Sequence, residues 1–115
     1  MIYATTSTIQ GREVDAYLGI VFGDAVLGIN VVKDFMASIR DVVGGRSGTY
    51  ERELAGARDA AMTNLTAQAQ ALGADAVIGI DVDYEVLGNG GMLMVAASGT
   101  AVRLKSAGAW AQPGG

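Results

Sequence analysis

Three carboxylates, Asp81, Asp83 and Glu85, stand at positions i, i+2 and i+4 of a short stretch that also carries Val82 and Tyr84. In an extended chain such residues point to one face at intervals of about 6–7 Å. Oxygen ligands of this kind suit a hard divalent cation such as Mg²⁺, Mn²⁺ or Ca²⁺ and not lead or mercury. One strand spaces them too widely to close a coordination shell, so a neighbouring subunit would have to add oxygens. Two of them also have the separation of a glycosidase acid–base pair, about 5–9.5 Å, but the aromatic platforms of a sugar cleft are missing from the sequence. Read plainly, the stripe is a solvated sheet face or a set of inter-subunit ion-pair partners for Arg46, Arg58 or Arg103.

A second group is Gly44, Gly45, Arg46 and Ser47, flanked by Arg40 and Tyr50. Backbone amides ahead of a helix N-terminus, with a guanidinium and a hydroxyl, suit an anion. The Lys-Ser/Thr pair that closes a phosphate-binding P-loop is missing, and the preceding segment reads as helix. The architectural alternative is that the paired glycines end one helix, Gly48 permits a tight turn, Ser47 or Thr49 caps the next helix, and Arg46 meets an acid of a neighbouring subunit. Met92 and Met94 offer two thioethers to a soft ion such as Cu(I), or fill a gap in a core or interface. Tyr17, Tyr50 and Tyr84 suit a pocket or an interface equally. The sequence has no His and no Cys, which removes the commonest general base, thiolate nucleophiles and the usual transition-metal ligands. Neither Lys33 nor Lys105 stands in a Ser-x-x-Lys arrangement. The expectation is a protein that is not an enzyme.

These residues have to be positioned by a small number of elements. Residues 2–4 read as a short strand, followed by a polar stretch and a turn at Gln10-Gly11. Over residues 13–22, Val14, Ala16, Leu18, Ile20 and Phe22 alternate with more polar neighbours, which predicts a strand with those five on its buried face. A further apolar run over 25–29 continues it, as a bulged long strand in preference to a hairpin. Asn30 can cap a helix over 30–43, and Leu54, Ala57, Ala61, Leu65, Ala69 and Leu72 form the inward stripe of a longer helix over 49–72 that Gly73 ends. Residues 76–86 alternate again, with Ile78, Ile80, Val82, Tyr84 and Val86 opposite the carboxylates. A glycine-rich turn over 88–91 then returns the chain into a strand over 92–104. That strand is apolar on both faces from 92 to 97, which requires both to be covered. Two helices can cover only one face of so small a sheet, so the other is expected to meet a second copy of the chain.

With 115 residues, the chain has room for one domain, expected over 1–104, with 105–115 as a flexible tail carrying Trp110. Charged residues make up only 17%, and the formal net charge is −4. A negative, charge-poor chain repels a phosphate backbone, so nucleic acid is not an expected partner. The N-terminus lacks the features of a secretory signal, and no apolar run approaches the roughly 20 residues of a membrane span. A cytoplasmic protein that leaves the membrane alone is expected.

Four stretches together carry a resemblance: Leu18-Gly19-Ile20-Val21, the run from Ser38 through Arg40-Asp41 and Gly44-Gly45-Arg46-Ser47 to Glu51, Leu72-Gly73-Ala74-Asp75-Ala76-Val77-Ile78-Gly79, and Gly99-Thr100-Ala101-Val102. In these the chain resembles the YbjQ-like family of small uncharacterised bacterial proteins over residues 1 to about 104. The resemblance implies an α+β subunit assembled into a ring, typically a homopentamer, and a heavy-metal-binding label that points to a divalent metal ion as the possible cofactor. The combined expectation is a two-layer α+β subunit: an antiparallel sheet with two helices on one face, closed into a homo-oligomeric ring. Its function would be to bind a small ligand or ion at subunit interfaces, with a purely structural or protein-interaction module as the alternative.

Overall fold

A computed structural model describes residues 1–28, 48–88 and 92–106. The expected helix over 30–43, the candidate residues Arg40, Gly44, Gly45, Arg46 and Ser47, and Trp110 lie outside the described residues. Four strands, β1 (Ile2–Tyr3), β2 (Val14–Leu27), β3 (Ala76–Leu87) and β4 (Met92–Leu104), form one sheet in the order β1-β3-β4-β2, and a single described helix, α1 (Gly48–Ala71), packs on it. The architecture is α+β, but the sheet is mixed and not antiparallel throughout. After β1 the chain crosses to the far edge to begin β2, which leaves β1 beside β3 and running parallel to it, with Ile2 against Ala76 and Tyr3 against Val77.

The helix forms where small and apolar residues recur every four positions. Ala57, Ala61, Leu65 and Ala69 are all buried against Val21 and Leu27 of β2, Val77 and Ile80 of β3, and Leu93, Val95, Ala97 and Ala101 of β4. Full burial of a side chain such as Leu65 contributes about 1.5–3 kcal/mol. Leu72, expected on this stripe, is 43% exposed because the helix has already ended. Gly73, at φ +76°, turns the chain there: its N–H donates to the Gln70 carbonyl at 2.9 Å, and that of Ala74 to the Ala69 carbonyl at 3.0 Å. These two bonds satisfy carbonyls that a helix end otherwise leaves unpaired.

β2 is one continuous strand, as expected, but its two faces exchange residues along its length. Its pairing with β4 slips by one residue between Val14 and Ala16 and again between Tyr17 and Gly19. Each inserted residue reverses which side chains face the core. Val14 therefore packs with Ile9, Ala76, Ile78, Val102 and Leu104 on the side of the sheet away from α1, while Leu18 packs on the α1 side. Ile20 and Phe22, expected inside, emerge 67% and 53% exposed, and Val21, Gly23 and Leu27 take the buried positions. The same thing happens in β3. Gly79, at φ +61°, and Ile80 together oppose Gly99, so Ile78 joins the outer cluster while Val77 and Ile80 face the helix.

α1 also seals one edge of the sheet. The Gln68 side-chain carbonyl accepts the Phe22 backbone N–H at 2.9 Å, and the Asn64 amide donates to the Asp24 carbonyl at 3.0 Å. Two of the backbone groups of β2 that look away from β4 are thus engaged by the helix, which blunts the middle of this edge against pairing with another chain. At the other edge Tyr3 ties β1 to the helix through a 2.7 Å hydrogen bond between its hydroxyl and that of Thr66.

Candidate functional site

The side of the sheet away from α1 carries the residues with chemical potential, in three parallel rows. β4 supplies the middle row, Met92, Met94, Ala96, Ser98 and Thr100; β3 places Glu85 beside Met94, Asp83 beside Ala96 and Asp81 beside Ser98. On the other flank β2 places Val26 beside Met94, Asp24 beside Ala96, Phe22 beside Ser98 and Ile20 beside Thr100. The face is therefore acidic along β3, small and thioether-bearing along β4, and apolar along β2 with one carboxylate, Asp24, set into it. Only its far end is covered among the described residues, by Ile9 over Ile78 and Val102.

The three carboxylates predicted from spacing do share this face, and all three are exposed. Their proximity shows at Asp83. Hydrogen bonding to the Asp81 side chain, then the negative charge of Asp81, raises the Asp83 pKa above the ordinary carboxylate value, and the charge of Glu85 adds to this. No described basic side chain forms an ion pair with the stripe: Arg58 instead donates to the Tyr84 hydroxyl at 3.3 Å on the opposite side, and Lys105 pairs with Glu13 at 3.0 Å. That pairing with Glu13 raises the Lys105 pKa. Among the described residues no three acidic, His or Cys side chains converge on one point that could hold a metal ion. The strand spacing explains this, since side chains on one face are rooted about 6–7 Å apart: Asp81 and Asp83 lean together, but no third carboxylate joins them.

Met92 and Met94 are on the same face, the first exposed and the second half-buried between Glu85 and Val26. Tyr17, 72% exposed, lies at the start of the apolar row beside Val102. Tyr84 points the other way, toward Arg58 of the helix, and so does not join the carboxylates. Tyr50 belongs to the first turn of α1. The residues that sequence reasoning missed are Ile20 and Phe22 as surface residues, and Asp24 as a member of the acidic face. The residue that signals them is Gly19, whose φ of +133° marks the second slip of register.

No described helix is long and apolar enough to cross a membrane. In comparison with known proteins, residues 1–105 match the model of the YbjQ family described as "Putative heavy-metal-binding". A UPF0145 protein of Geobacillus kaustophilus is 58% identical over 106 residues, covering 92% of this chain and all of that protein. Among solved structures, a protein of unknown function from Pediococcus pentosaceus, assigned to the DUF74 family, superimposes with a TM-score of 0.59 at 19% identity, over 91% of this chain and 98% of the other. At that identity the likeness speaks for the fold alone.

Proposed function

The chain belongs to the YbjQ family, and from that premise we propose that it is a non-catalytic, ring-forming subunit that binds a small ligand or ion between copies. The observation that carries this reading is the exposed apolar row of β2. Ile20, Phe22 and Val26 are 67%, 53% and 53% exposed, and Val26 adjoins the thioether of Met94. Exposed large apolar side chains grouped on one face are a common mark of an interaction site, and a second copy laid on them buries the row and brings new side chains beside the carboxylates. The acidic row then gains the additional oxygens that its own spacing denies it.

The donor set favours a hard cation. Carboxylates and two thioethers, with no imidazole or thiolate anywhere in the chain, fit Mg²⁺, Mn²⁺ or Ca²⁺ better than the soft heavy metals of the family's description. The second reading, a purely structural or protein-interaction module in the cytoplasm, rests on the same exposed row without the ligand. Native mass spectrometry of the purified protein separates the two. A five-fold mass with a stoichiometric excess supports the binding ring and weighs the ligand; a clean five-fold mass supports the structural module. A monomer overturns the ring assembly on which the first reading depends. Asp81→Asn together with Asp83→Asn abolishes cation binding if the stripe supplies ligands, and leaves binding unchanged if it does not.

A further inference from the structure

The two edges of the sheet are treated differently. On the β2 edge, Gln68 and Asn64 of α1 occupy backbone groups of Phe22 and Asp24. On the β3 edge, the N-terminal segment fills the row only as far as Ile80, whose N–H donates to the Ala4 carbonyl at 3.1 Å, next to a 2.8 Å bond from Gly79 N–H to Thr6. Past Ile80 no described strand pairs with the outer side of β3. Backbone groups alternate in direction along a strand. Since those of Ile80 look outward, the outward N–H and C=O groups beyond it belong to Val82, Tyr84 and Val86, and those of Asp81, Asp83 and Glu85 are turned toward β4.

Among the described residues this row of donors and acceptors is open, and such a row is a template for strand addition; the side chains say what kind of strand fits. Cross-strand neighbours stand about 4.5–5.5 Å apart. An added strand therefore sets one face beside Asp81, Asp83 and Glu85 and the other beside Val82, Tyr84 and Val86. The first row calls for lysine or arginine, the second for apolar side chains. A second copy of the chain cannot meet that pattern with a free segment. Its basic residues are at 12, 33, 40, 46, 52, 58, 103 and 105, and only Arg103 and Lys105 stand two apart, the first within β4 and the second just past its end, where its backbone N–H is already bonded to the Glu13 carbonyl.

We propose that the outer edge of β3 over residues 81–87 captures an extended segment of another protein by strand addition, selecting one in which basic residues alternate with apolar ones. This interaction uses the edge of the sheet and not the apolar row of β2, but it claims the same carboxylates as the proposed cation site, so a captured strand and a bound cation compete for Asp81, Asp83 and Glu85.

The test is fluorescence anisotropy with the full chain and a labelled peptide of about seven residues, enough to pair with this stretch of edge, that alternates lysine and valine. Saturable binding is expected, weakened at least tenfold when glutamate replaces each lysine. N-methylating the alternate peptide amides that face β3 removes about three hydrogen bonds and is expected to weaken binding about tenfold or more, whereas methylating the other set leaves affinity nearly unchanged. Val86→Pro, which deletes one outward N–H at a position where an edge strand tolerates proline, is expected to weaken binding likewise while thermal unfolding stays close to that of the parent chain. The peptide series leaves the protein untouched, so it decides the matter even if that variant folds poorly. Absent binding, or equal binding by both methylated peptides, overturns the proposal; the latter reduces the contact to charge attraction.

Discussion

Gly23 of β2 lies directly under Ala61 of α1, so close that a β-carbon on Gly23 would sit 1.8 Å from the Ala61 carbonyl oxygen and 2.6 Å from the Leu65 backbone nitrogen. Both obstacles are backbone, and neither can swing away as a side-chain tip does. The fully buried Ala61 and the bare backbone of Gly23 together let the helix approach the strand closely enough for Gln68 and Asn64 to reach its edge. Gly23→Ala is expected to cost about 3 kcal/mol or more, the upper end of overpacking penalties, measured by urea denaturation. The companion Gly99→Ala, whose β-carbon would meet Val77 Cγ1 at 2.6 Å and Ile80 Cγ1 at 3.1 Å, is expected to cost less, about 1–3 kcal/mol, because those obstacles are mostly side chains.

The sealing of the β2 edge predicts a local effect. Gln68→Ala removes the acceptor of the Phe22 N–H, and a single hydrogen bond of this sort contributes about 0.5–1.5 kcal/mol net. Amide hydrogen exchange at Phe22 should quicken selectively in the variant, with the amides of β4 unaffected. Equal protection in the variant and the parent chain would mean that the helix does not guard this edge.

The acidic row predicts a dependence on pH. Because the Asp83 carboxyl has a raised pKa in the fold, through hydrogen bonding and charge from Asp81, it holds its proton more tightly there than in the unfolded chain. Its ionisation therefore opposes folding. The penalty is fully present above the folded pKa and fades as pH falls through it toward the unfolded value. Asp83→Asn is expected to raise the denaturation midpoint at neutral pH, with the gain disappearing in acid. A gain that is the same at every pH would assign the effect to something other than this charge.

The apolar row predicts a change in assembly. Replacing Ile20 and Phe22 together by serine leaves the buried core untouched, since both are exposed in the subunit. The double variant is expected to shift to lower mass in size-exclusion chromatography with light scattering, while its far-UV circular dichroism stays that of the parent. An unchanged mass would place the subunit contacts on another surface.

Much of the architecture was legible in the amino-acid sequence, because period and punctuation are local properties. The four-residue recurrence of Ala57, Ala61, Leu65 and Ala69 marks the buried stripe of α1, and Gly73 marks its end. The two-residue recurrence of Asp81, Asp83 and Glu85 puts them on one face of β3. The tertiary structure decided which face each strand presents, and to what. Bulges at β2 and at Gly79 reverse the inward and outward sets, and a bulge exists only in relation to the partner strand that lacks the extra residue, so alternation within one strand cannot reveal it. The two slips in β2 cancel, so Ile20 and Phe22 share the outer face with Val14 and stand at the surface because no described residue covers that face there, whereas the single bulge at Gly79 sets Ile78 on the side opposite Ile80. Strand order was hidden in the same way: pairing β1 in parallel with β3, far away in sequence, depends on backbone bonds made by Ile2 and Ala4, which any pair of short strands could form and which only the packed sheet selects.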